Sequence, residues 1–390
     1  MFSTRTNWQR KPNRLTALFN ELRDSGKQIL DLTVSNPSEC GFTYPSKEII
    51  AALGTTRSMH YQPEPQGIIP ARKAVCNYYK SKELDIAPHQ VFLTASTSEG
   101  YSTVFKLLCN AGDDVLIPKP SYPLFDFLAQ INDVHLSEYS LRYDGEWHID
   151  IDSLVEAVTP MTKAICLIHP HNPTGMFIKK IEYEKLIAIA TERNLALIVD
   201  EVFLDYGFEE NALRHSSTAG ERRVLTFTMN GISKMIGLPQ MKLGWIVLSG
   251  PDNILLEASH RLEILCDTFL SVNTPVQEAL AVFLKTGDII QDQIRERTKN
   301  NFTHLSHSIN EDGQCSVLQS EGGWYGIIRV PRIKSDEEWC IDLLKQYGVY
   351  LYPGYFFDFV EEGYLIVSLL VEEEKFKEGV KRIEKCIESL

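Results

Sequence analysis

Lys234 stands in the stretch Gly231-Ile232-Ser233-Lys234-Met235-Ile236-Gly237, a loop of small and apolar residues that follows an apolar run. A lysine placed just beyond a buried strand is partly desolvated. That lowers its pKa and frees the amine to act as a nucleophile towards an aldehyde. An arbitrary lysine is far more often a solvated surface cation, so the case for chemistry rests on the other segments that accompany it.

Three such segments precede it. His169-Pro170-His171-Asn172-Pro173-Thr174-Gly175 follows the apolar run 164–168, and by itself reads as a turn. Asp200-Glu201-Val202-Phe203 sits at the carboxyl end of the run 197–199, the end at which open α/β sheets bind ligands. Taken alone, Asp200 is a plausible helix cap. Thr94-Ala95-Ser96-Thr97-Ser98-Glu99-Gly100 lies between a strand pattern and a helix pattern, where free backbone N–H groups and small hydroxyls suit a phosphate dianion. A serine and threonine run at that place is also an ordinary N-cap.

In this order the four segments resemble class I and II aminotransferases, and Gly231 to Trp245 resembles their cofactor-lysine signature. The likeness runs from Leu32 through Pro353-Gly354 to the last helix. It implies an enzyme of pyridoxal-phosphate fold type I. A large domain with a mainly parallel sheet covered by helices would be joined to a smaller α+β domain. It further implies that Lys234 holds pyridoxal 5'-phosphate as a Schiff base. An amino group would then move between an amine or amino acid and a keto acid or aldehyde, with Lys234 transferring the proton. Asp200 would keep the pyridine nitrogen protonated, so that the ring accepts electrons. Asn172 would donate to the phenolic oxygen, and Thr97, Ser98 and Ser233 would belong to the cofactor cradle. Tyr122, in Pro118-Lys119-Pro120-Ser121-Tyr122-Pro123, would stack on the ring. Tyr61, in His60-Tyr61-Gln62-Pro63-Glu64-Pro65-Gln66-Gly67, would reach the phosphate of a neighbouring subunit and make the enzyme a homodimer. The same fold also hosts lyases, decarboxylases and ring-forming enzymes, and a non-catalytic binding protein is a more remote alternative.

Three departures lie at this site. Lys242 occupies the place of a phosphate-gripping arginine, keeping the charge but not the two-pronged geometry. Phe203 replaces a tyrosine that would be a second donor to the phenolic oxygen. In Tyr364-Leu365-Ile366-Val367-Ser368, Ile366 replaces the arginine that binds a substrate α-carboxylate, and Ser35 stands where glycine is common beside it. Either the substrate lacks that carboxylate or another cation holds it, with Arg261 and Arg329 as the candidates.

The elements that must position these residues are legible as short, nearly continuous apolar runs: 91–93, 114–117, 163–168, 196–199, 224–228 and 243–248. Runs of this kind are strands buried on both faces, alternating with helices in an α/β layer architecture. After about residue 285 the pattern becomes one charged helix to 309, then strands around 322–331 and 364–370. The expected division is a large cofactor-binding domain over 46–284 and a small domain made of 1–45 and 285–390.

A net charge of -13 disfavours nucleic acid and anionic membranes as partners. The start is polar and basic, with no apolar stretch of signal type, so the cytoplasm is the default expectation. Eight scattered cysteines without a C-x-x-C pair suggest reduced thiols, and no metal site is expected.

Overall fold

The computed structural model describes residues 1–8, 11–309 and 315–388. Numbered along the chain, its strands are β1 (Leu30–Asp31), β2 (Val91–Thr94), β3 (Asp114–Lys119), β4 (His135–Tyr143), β5 (Trp147–Ile149), β6 (Thr162–Ile168) and β7 (Ala196–Asp200). They continue as β8 (Thr226–Gly231), β9 (Gly244–Ser249), β10 (Ser316–Val317), β11 (Tyr325–Arg329), β12 (Val349–Tyr350), β13 (Tyr352–Pro353) and β14 (Tyr364–Ser368).

Eight strands form the main sheet in the order β2-β9-β8-β7-β6-β3-β4-β5. The pairs β4–β3, β3–β6, β6–β7 and β7–β8 are parallel, whereas β9 runs antiparallel to both β8 and β2. The central strands are almost wholly buried because helices cover both faces. In β7, Leu197 and Val199 enter one core while Ala196 and Ile198 enter the core on the other face, as the two-residue period of a strand requires.

Two reversals of β9 leave β2 pointing the same way as β8. Thr94, Lys119, Ile168, Asp200 and Gly231 therefore all end at one edge of the sheet, and the loops that leave this edge carry the chemistry-bearing motifs. Strand β8 begins and ends later than the apolar run 224–228 suggested. Its continuation, Met229-Asn230-Gly231, is fully buried between β7 and β9, but its polar members hide it from an apolar pattern. The hairpin β4–β5 was not expected either. It lies at the sheet edge, and β4 alternates with exposed polar residues instead of reading as a buried run.

A smaller antiparallel sheet, β10-β11-β14-β13, accompanies the first, and β1 pairs in parallel with β12. Leu15 and Leu32 share a core with Val349, Leu365 and Phe376, so the N-terminal segment packs with the C-terminal one. The helix Asp288–Ile309 joins the two regions, with Ile290 and Ile294 buried in one core and Leu305 and Ile309 in the other. No helix of the described residues is long and apolar enough to cross a membrane.

Candidate active site

A cavity of about 240 Å³ opens at the carboxyl edge of the main sheet. It gathers Thr97, Ser98, Tyr122, Asn172, Asp200, Ser233 and Lys234, seven of the residues singled out by type and spacing.

The helix Thr97–Leu108 starts at the end of β2, and the Ser96 hydroxyl caps it by accepting the Glu99 N–H at 3.2 Å. Its first-turn N–H groups have no partner within the helix, and Ser96, Thr97 and Ser98 line the cavity. Gly244 of β9 passes close beneath this turn. A Cβ there would lie 3.2 Å from Thr97 N, tighter than ordinary packing allows. Free N–H groups beside the Thr97, Ser98 and Ser233 hydroxyls are a chemistry that suits an anion.

Lys234 lies in the single helical turn Ile232–Met235 directly after β8. Its backbone is fixed by Tyr206, whose hydroxyl donates to the carbonyls of Lys234 at 2.8 Å and Met235 at 2.9 Å. The amine opens into the cavity, 5.1 Å from the centre of the Trp324 ring. Burial lowers its pKa, opposed by the Asp200 charge.

Asp200 ends β7 with both oxygens engaged, one accepting the Val202 N–H at 3.1 Å and the other the Tyr101 hydroxyl at 3.2 Å. Burial raises its pKa to about 6, while the Val202 N–H, the Tyr101 hydroxyl and Lys234 pull the other way. At neutral pH it is a carboxylate facing the cavity. Asn172, in the turn after β6, has a buried side-chain oxygen without a partner. Turned over, the same amide presents an N–H to whatever fills the cavity.

Two of the expected residues are not brought into this cavity. Lys242 is exposed, in left-handed backbone (φ 54°) after the turn Pro239–Met241. Tyr61 is 73% exposed and lines a separate groove with Phe269. The proposed replacement cations are also elsewhere. Arg261 is exposed and pairs with Glu257 at 2.6 Å, and Arg329 is exposed at the end of β11 with its Nε 3.2 Å from Ser316 Oγ. Ile366 is fully buried in a core instead of facing the cavity.

Sequence reasoning missed Tyr101, Tyr325 and Trp324. Tyr101 follows Thr97 by four residues, so it shares that residue's helix face, and this spacing was an available signal. Trp324 and Tyr325 follow Gly322-Gly323, whose significance depends on a tertiary approach.

A mainly parallel sheet with lysine, aspartate and an anion cradle at its carboxyl edge defines a class of cofactor-dependent α/β enzyme. A sequence model described as "Aminotransferase class I and II" matches residues 27–383, and the chain belongs to that family. It is a pyridoxal-phosphate-dependent aminotransferase. It is 28% identical to glutamate-pyruvate aminotransferase AlaA of Haemophilus influenzae over 94% of this chain and 92% of that protein. It is 27% identical to an alanine aminotransferase of Mycobacterium bovis, covering 93% of this chain and 86% of the other. A solved alanine aminotransferase from Pyrococcus furiosus superposes with a TM-score of 0.90 at 26% identity, over 100% of both chains.

The residues present fit the cofactor. The anion cradle suits its phosphate, Asp200 its pyridine nitrogen, and the unpartnered Asn172 amide its phenolic oxygen.

Proposed function

We propose that Lys234 is both the covalent anchor of pyridoxal phosphate and the base that moves the substrate proton, with Asp200 as the fixed counter-charge of the ring. The observation that carries this reading is the pairing of a desolvated Lys234 with a carboxylate on Asp200 across one cavity. When bound, the cofactor supplies an electron sink for the bond broken at the amino-bearing carbon.

The protein supplies the rest. Thr97, Ser98 and Ser233 hold the phosphate, Asn172 orients the phenolic oxygen, and Tyr122 flanks the ring. Lys234 takes its proton from one atom and returns it to another a short distance away, which a flexible amine held at its backbone by Tyr206 can do. Trp324 and Phe203, in edge contact at 5.1 Å, exclude water on that side.

Residues 46–284 make the cofactor-binding domain, and 1–45 with 285–390 make the smaller one that covers the substrate. The working unit is a homodimer. The exposed aromatic side chains Tyr61 and Phe269 share a groove of mixed polarity beside Thr94 and Glu99, close to the phosphate cradle, that a second copy would cover. In that dimer Tyr61 reaches the neighbour's phosphate, and Lys242 adds its charge at the cradle's rim. Eight cysteines, all free, suit the cytoplasm. Amino and keto acids of the kind named for the relatives supply at least one half of the exchange.

Borohydride reduction of the holoenzyme followed by peptide mapping should leave the cofactor on Lys234. Label on another lysine would overturn the assignment. Sedimentation at assay concentration should give a dimer, and a fully active monomer would remove the role given to Tyr61.

A further inference from the structure

Among the described residues, the cavity walls carry only two charged side chains, Asp200 and Lys234. Neither is free to hold an anion. Asp200 is negative, and Lys234 is the reacting amine of the proposed function, on which this inference rests. What remains opposite Lys234 is neutral. Ser35 and Tyr325 face the cavity, and the Ser35 hydroxyl lies against the phenol of Tyr325, partly offsetting the rise in its pKa caused by burial. Leu124, Phe125, Leu128 and Val202 are apolar.

Two cations of the surrounding elements, Arg297 and Lys119, are occupied. Arg297, from the helix Asp288–Ile309, lies 3.3 Å from the carbonyls of Cys40 and Leu370, stacks over Phe42 at 5.1 Å, and reaches Glu373 at 4.0 Å. Lys119 lies between Glu138 at 2.9 Å and Asp358 at 3.4 Å.

We propose that the preferred amino donor carries no carboxylate on its amino-bearing carbon. It is a neutral primary amine, with a hydroxyl or similar uncharged polar group met by Ser35 and Tyr325. A carboxylate entering this wall would shed its water and meet hydroxyls without an ion pair, which is unfavourable in a closed site. A hydroxyl in the same place both gives and accepts hydrogen bonds with the pair. The exchange balances without another reactant: the primary amine leaves as the aldehyde or ketone, and the cofactor aldehyde is left as the amine. A site built to hydrogen-bond a neutral group discriminates strongly against an analogue that leaves those groups unpaired.

The test separates binding from turnover. Holoenzyme is titrated with 2-amino-2-methylpropan-1-ol and with 2-aminoisobutyrate, matched compounds that lack the hydrogen to be transferred, and binding is read from the cofactor absorbance. The alcohol should bind at least about ten-fold tighter. Tyr325→Phe should reduce that preference several-fold by weakening the alcohol and leaving the acid unchanged. Equal or tighter binding of the acid would overturn the proposal and show that another cation reaches the site. If neither compound perturbs the absorbance while borohydride still fixes the cofactor on Lys234, the substrate class is wrong and the anchor stands. If borohydride fixes nothing on Lys234, the anchoring role itself falls, and this inference with it.

Discussion

The Tyr101 hydroxyl donates a hydrogen bond to Asp200 across 3.2 Å, tying the helix that begins at the phosphate cradle to the strand end that faces the ring. The phenol therefore opposes the burial that raises the Asp200 pKa to about 6. The carboxylate form exists above that pH and is lost as pH falls through it. A hydrogen-bond donor to the charged form extends its range downwards.

Cofactor binding by the apoprotein should accordingly weaken as pH drops below about 6. Tyr101→Phe should move the onset of this weakening to higher pH, because Asp200 loses a donor while its burial persists. Asp200→Asn should abolish the pH-dependent step in this range. Fluorescence titration of apoprotein with cofactor between pH 5 and 8 reads all three. A Tyr101→Phe profile superimposable on the parent would show that the hydrogen bond does not tune Asp200.

What was legible in the sequence were the groups held by local geometry. Lys234, Asp200, Asn172, Thr97 and Ser98 each sit within a few residues of a strand's carboxyl end, so motif and position coincide. Tyr325 comes from the smaller sheet and reaches the cavity, and Trp324 just before it reaches Lys234, through folding over a long sequence separation that no local spacing records. Ile366 is buried in a core away from the cavity, and Arg261 and Arg329 do not reach the cavity either. Chain position could not tell that both side chains are exposed, one on a helix and the other at a strand end. Tyr61, if it serves a neighbouring copy, cannot enter the cavity of its own chain.

Phe203→Tyr should lower the midpoint at which the visible absorbance of the holoenzyme titrates. Phe203 lines the cavity, and a hydroxyl on its ring would add a donor that favours the deprotonated chromophore. The midpoint is read by absorbance from pH 5 to 10. An unchanged or raised midpoint would place the new hydroxyl away from the phenolic oxygen.

Gly175→Ala should destabilise the protein by about 3 kcal/mol, from left-handed strain and overpacking together. Gly175 has φ 69°, and a Cβ there would overlap Ser320 Oγ and the Gly322 carbonyl. Urea unfolding of the apoprotein measures this. A loss below about 1 kcal/mol would mean that the loop yields.

The contact at Gly175 is one of several between the turn after β6, the segment following Asp200 and the loop before β11. Gly207 bridges Gly322, and the Phe208 and Gly323 N–H groups bond across the same seam at 2.9 Å to Glu321 and Tyr206. Glu321 adds ties to Lys179 and to Arg214, the latter at 2.9 Å. Backbone meets backbone where Gly207 and Gly322 pair, with Phe177, Ser320 and Arg214 packed close around them. The Trp324 ring beside Lys234 and the Asn172 turn are thus mechanically one piece. Any displacement of the smaller sheet must keep this seam or break its hydrogen bonds, together with the one from the Ser121 N–H to the Phe357 carbonyl at 2.8 Å.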